Sequence, residues 1–268
     1  MLRNYLVNRE ISRVRKKQLA TMRFMVNKVI DHKNTVRKYL SDFPVIDKYI
    51  KERFGDIDLS DIQIYMSSGK VIDKAGFEGI GGCYVDMMKT ILVKDKIEDI
   101  KATDKFSSVM QDVCKLTATM EDILVHELIH AVSAKIGRAL SKYRHTEEEF
   151  VYTNCIDFYR QKGMSDEDIV NNNFLPFCIA DVYASKKEMQ QVFKTIGVTF
   201  SEVRGMSDFE YKNLLNKNAE KIAPVIKDLA QKKAYKMIEL YTKNGNERDM
   251  NYFEQTENIS RASFLDFS

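Results

Sequence analysis

The sequence predicts an α+β protein, predominantly helical, with a small antiparallel or mixed sheet. Three observations lead there. The 268 residues include only 3 prolines and 11 glycines, while 30% are charged, a composition that suits long helices. Apolar residues recur three to four apart in 19–40, 105–118 and 211–241, the period of a helix with one buried face. Near residue 61 the period drops to two, which marks a strand.

Taken in order, residues 1–40 are basic, with eleven Lys and Arg side chains against only Glu10 and Asp31. Leu19, Met22, Val26, Val29, Val36 and Leu40 read as the stripe of one long amphipathic helix, broken once by Lys33. Ser41-Asp42-Phe43-Pro44 ends it, and a short helix over 45–54 stops at Gly55. The alternation of Asp61 to Ser67 is a strand, and Ser68-Gly69 reads as a turn. A glycine-rich stretch from Gly76 to Gly82 leads into Cys83-Tyr84-Val85, and Thr90 to Lys94 forms a further strand. Gly79-Ile80-Gly81-Gly82 lacks the Lys-Ser/Thr ending of a phosphate loop and the dinucleotide spacing, so these glycines serve a bulge or a close backbone approach.

After a charged connection over 94–104, residues 105–118 carry Val109, Val113 and Leu116 at helical spacing and run on toward the next helix. That next helix is capped by Thr119 with Asp122 and stopped by Gly137. Another opens with Thr146 as N-cap and Glu149 as its capping-box partner. Ser165 to Asp168 start a helix, Asn171 to Asn173 interrupt it, and Phe174 to Ala184 are compactly apolar. Charged helix follows from about residue 186, and Pro224 inside the pattern from Tyr211 to Tyr241 predicts two helices or a kink. The residues after Gly245 are polar and aperiodic. On this reading 1–50 form a basic helical arm, 51–185 a core, and 186–268 a helical C-terminal region with a tail.

The net charge of +3 is too small to argue for nucleic acid, and the basic arm comes without an aromatic platform or a nucleic-acid motif. The charged face is therefore a solvated one. A protein partner reached through the N- and C-terminal helices is left open by this pattern. Cys83, Cys114, Cys155 and Cys178 form no CxxC pair, so neither a zinc ribbon nor a disulfide framework is indicated. No secretory leader and no apolar run of 18 residues is present, which sets a cytoplasmic expectation without a membrane span and leaves a virion or secreted effector open.

The chemistry concentrates in Asp122 to Val132. His126 and His130 are four residues apart and share one helical face, the spacing at which two imidazoles bind one zinc ion. Glu127 between them is placed to hold and deprotonate a water on that ion. Apolar residues surround this helix on all sides, so its polar side chains need partners. A chance pattern with histidines bonded in a core is the competing reading. Against it, the chain has 4 histidines and two of them fall here, with a glutamate between.

Catalytic zinc takes three protein ligands and one open position. Position 136, where a third histidine would stand in the metzincin pattern, is Ile136. On the following helix Val151, Tyr152, Cys155, Phe158 and Tyr159 gather on one side, with Glu148 near the middle of it and Glu147 toward its margin. A carboxylate aimed inward needs a cation, so Glu148 is the expected third ligand, and Glu147 and His145 are its rivals.

His126-Glu127-Leu128-Ile129-His130 followed by a glutamate-bearing helix resembles the gluzincin branch of the zincin metallopeptidases, in particular its small, compact members. The similarity spans about residues 119–159. It implies zinc on His126, His130 and Glu148, Glu127 as general base, and hydrolysis of a peptide or protein substrate. It also implies that the small sheet packs on the metal-binding helix and that its edge, over 82–92, holds an extended substrate by strand addition. The Asn-Glu-x-x-x-Asp signature of the larger thermolysin-like enzymes is absent. Tyr143, Arg144 and His145 are candidate donors to a developing oxyanion. The alternative is a non-catalytic binding or assembly protein that keeps such a fold as a scaffold.

Overall fold

A four-stranded mixed sheet, ordered β1-β2-β4-β3, lies between two helical layers. It is built from β1 (Val36–Lys38), β2 (Gln63–Ser67), β3 (Gly82–Val85) and β4 (Thr90–Lys94). β1 runs antiparallel to β2, β2 parallel to β4, and β3 antiparallel to β4 with Tyr84 opposite Ile91. The computed structural model describes residues 17–77, 81–96, 105–114, 119–137, 144–172 and 175–244.

Side-chain alternation decides which layer each strand residue joins. On one face Ile64, Ile91 and Val93 meet α5 (Met120–Lys135), α2 (Pro44–Phe54) and α6 (Arg144–Gln161). On the other, Tyr65, Cys83, Val85 and Leu92 meet Val26 and Val29 of α1 (17–30), together with Ile72 of α3 (Gly69–Lys74). All of β4 is buried, including Lys94, whose ammonium lies 2.8 Å from Asp73 of α3. α5 sits at the centre and is buried on most sides, as its surrounding ring of apolar residues requires.

A second core joins α4 (Lys105–Cys114), α8 (Leu175–Tyr183), α9 (Lys186–Lys194), α10 (Phe200–Gly205) and the long α11 (Asp208–Asn244). α7 (Asp166–Asn172) closes the series. Ala219, Ile222, Ala223 and Ile226 of α11 lie in this second core, while Ala234, Met237 and Ile238 reach the first. α8 does the same, with Leu175, Ile179 and Tyr183 in the first core and Phe177 and Ala180 in the second, so two helices tie the cores together. Helix starts follow a repeated device: Thr119 with Asp122, Ser185 with Glu188 and Thr199 with Glu202 are complete capping boxes.

Several expectations are corrected. The first helix ends at residue 30 rather than 40, because Thr35 Oγ1 donates to the Val29 carbonyl at 2.6 Å and pairs with the Ser67 hydroxyl at 2.9 Å, turning the chain into β1. Ser68 is the N-cap residue of α3 rather than part of a free turn. α4 does not run into α5, since Thr119 has extended backbone (φ −101°) and opens a new helix. Thr146 is not an N-cap, because α6 is already formed at Arg144. α11 is a single helix across Pro224: the proline and the carbonyl-bearing residue four positions earlier, Glu220, are both solvent-exposed, so water can take the bond the ring removes. The first core draws on residues from Phe43 to Ile238 and the second on residues from Phe106 to Ala230. The tail beyond Gly245, the first sixteen residues and Tyr143 lie outside the described residues, as do the side chains of Arg144 and His145. Within the described residues no helix is long and apolar enough to cross a membrane.

Candidate metal centre

The capping box at Thr119 fixes where α5 begins, with the Thr119 hydroxyl accepting from the Asp122 N–H at 3.2 Å and the Asp122 carboxylate accepting from the Thr119 N–H at 2.6 Å. Gly137, in the left-handed conformation at φ 78°, lies just beyond its end. Between these ends, His126 and His130 leave the same face of the helix one turn apart. Their Nε2 atoms are 3.2 Å apart, and their rings meet edge-on with centroids at 4.8 Å.

From α6, Glu148 brings a carboxylate oxygen to 3.8 Å from His130 Nε2. One nitrogen of each histidine and one Glu148 oxygen lie within 4.8 Å of one another, close enough to hold a single metal ion. The donor set suits one. Two imidazole nitrogens turned toward each other at 3.2 Å cannot both carry a proton without repulsion, and bonds of about 2.0–2.2 Å to a shared ion span such a gap. The expected ligand set is the one the fold brings together.

Glu147 does not join it. Its carboxylate lies 3.0 Å from His130 Nδ1, on the far side of the ring, where it fixes the orientation of the ring. The sequence offered one signal for this, the position of Glu147 at the margin of the buried side of α6. His126 Nδ1 is buried and has no hydrogen-bond partner among the described residues.

Glu127 points from α5 toward β3. Its Oε2 accepts the Tyr84 backbone N–H at 2.7 Å, an interaction no side-chain pattern announces because the donor is main chain. β3 can come this close because residue 82 is glycine. A Cβ there would stand 2.6 Å from Ile123 Cγ2, 3.0 Å from the Leu92 carbonyl and 3.4 Å from Glu127 Cγ. β3 is an edge strand of the sheet and runs beside Glu127, but the edge expected over 82–92 is shorter than that, because Thr90 to Leu92 belong to β4, which pairs with β2 and β3 on its two sides.

The electrostatics of the cluster follow from burial against mutual charge. Burial pushes the Glu127 carboxyl up to about 7, with His130 and the Tyr84 N–H pulling the other way and Glu148 adding to the rise. Burial opposes charge on His130, but the bond to Glu147 and the fields of Glu127, Glu148 and Glu147 outweigh it and raise its pKa to about 9. His126 is held well below its ordinary value by burial and then by its neighbour His130, which keeps it a neutral imidazole. Neutral imidazole is the form that binds metal.

Comparison of the chain with protein-family models, with characterised proteins and with solved structures gave no match.

Proposed function

We propose that this chain is a zinc-dependent peptidase of the zincin type, with a gluzincin-like ligand set. The observation that carries the reading is the convergence of His126, His130 and Glu148 beside a buried Glu127 that faces a sheet edge. Two imidazoles and a carboxylate are a donor set of catalytic zinc, and they leave a position open. Zinc held there supplies Lewis acidity, lowering the pKa of water and polarising a carbonyl.

The protein's own residues supply the rest. Glu147 orients His130 through Nδ1, and the capping box sets the register of α5. Glu127 takes a proton from water at its free oxygen Oε1 while Oε2 is held by the Tyr84 N–H, then passes that proton to the leaving amine. An extended peptide adding to β3 would bring its carbonyl past Glu127, and strand addition is a general way to bind peptide main chain.

Replacing Glu127 with Gln tests the mechanism. The variant is expected to bind zinc like the parent and to lose cleavage of a mixed peptide library by at least about a hundredfold. Cleavage at parental rate by zinc-loaded Glu127→Gln would defeat the assignment. The second reading, a binding or assembly protein on the same scaffold, draws on the second helical core, built on α4 and α8–α11, which contributes no residue to the metal cluster found among the described residues. Zinc binding without cleavage of any library member by the parent chain would favour it.

A further inference from the structure

We propose that Tyr152 is a positioning residue of the metal centre, holding the Glu148 carboxylate and the His126 ring in the arrangement an ion requires. The inference rests on the metal reading above and adds to it a part that the ligand motif does not contain. Tyr152 follows Glu148 by one turn of α6, so both leave the same face. It is buried, at 4% exposure. Its hydroxyl lies 3.4 Å from the Cys178 carbonyl of α8 and within hydrogen-bonding reach of the Glu148 carboxylate, so its one proton has both as acceptors to choose between. Its ring lies against His126, with centroids 5.7 Å apart and planes tilted by 36°, and is backed edge-on by Tyr183 at 6.4 Å.

Each contact has a consequence. A carboxylate on a helix has two free side-chain torsions beyond χ1, and a donor at one oxygen selects the rotamer that offers the other oxygen to the ion. The ring stands where His126 would otherwise swing, which matters because His126 Nδ1 has no partner of its own among the described residues. Glu147 serves His130, and Tyr152 serves the other two ligands. Outer groups of this kind are worth about 10–100-fold in metal affinity.

The test is zinc affinity by dye competition on the chelator-stripped full chain, for the parent, Tyr152→Phe, Glu148→Gln and the double variant. Tyr152→Phe is expected to weaken zinc by about 10–100-fold, to leave the metal-free Tm unchanged, and to alter the visible spectrum of the cobalt-substituted protein. In the Glu148→Gln background the same change is expected to cost at most about twofold, because the carboxylate it positions is gone. Parental zinc affinity in Tyr152→Phe overturns the proposal alone. So does an equal loss in both backgrounds, or a loss matched by a fall in metal-free Tm, since either marks a structural role only. A parent chain that binds no zinc overturns this proposal together with the metal reading beneath it.

Discussion

Around His130 two consecutive glutamates face different ring nitrogens: Glu148 lies 3.8 Å from Nε2 and Glu147 3.0 Å from Nδ1. That division makes metal binding depend on pH in a defined sense. The pKa of His130 is raised to about 9 in the metal-free protein, so at neutral pH an ion must displace a proton from Nε2. Zinc affinity is expected to rise about tenfold per pH unit between pH 6 and 8, and competition titrations across that range would measure it. Glu147→Gln removes the strongest of the raising interactions and should flatten the slope. The effect on folding has the opposite sign. A raised pKa stabilises the metal-free fold fully below about 6.5, the unperturbed value, and that stability is lost as pH climbs through about 9. In chelator, then, Tm should fall from pH 6.5 to 9.

At the scale of elements, the contact between β3 and α5 is what sets Glu127 in place. It depends on Gly82 having no side chain. Gly82→Ala should force the strand off the helix, costing about 1–3 kcal/mol as overpacking does, a fall of several degrees in Tm for a chain this size. Zinc affinity should survive, because the ligands are on α5 and α6 rather than β3. Unchanged Tm in that variant would mean that the strand does not press on α5. Much at this scale was legible in advance. α5 announced itself by a capping box, a terminal glycine and apolar residues on every side, and β2 and β4 by local pattern and composition. β1 was not, since three residues with Val36 exposed have no period to read and exist by pairing with β2. The continuity of α11 through Pro224, in place of two helices, has a similar origin: whether a proline breaks a helix is set by what its partner carbonyl faces, here solvent, and sequence does not show that.

At the scale of the molecule, α5 and α6 are held together by packing, and the proposed zinc would bond to both through His126, His130 and Glu148. Zinc should therefore raise the stability of the whole chain, by about 2.7 kcal/mol at a concentration one hundred times the dissociation constant. A scan with and without chelator should show one transition moving as a unit, because α11 threads both cores. Two transitions, only one of them zinc-dependent, would show that the helical core folds on its own. The ligand pair His126 and His130 could be read from the chain because both lie on one helix. Glu148 could be weighed there by its place on the wheel of α6. The role of Glu147 was signalled only by its place at the margin of that wheel, because it depends on the rotation of α6 about its axis relative to α5, which packing decides.

The most direct test of the metal site is X-ray absorption at the zinc edge of the loaded protein, with His126→Ala and His130→Ala alongside. The account predicts one zinc per chain with about four nitrogen and oxygen neighbours at about 2.0–2.1 Å, imidazole scattering from two rings, and loss of that signal in either variant. Sulfur neighbours near 2.3 Å, or a parental spectrum in the histidine variants, would contradict it.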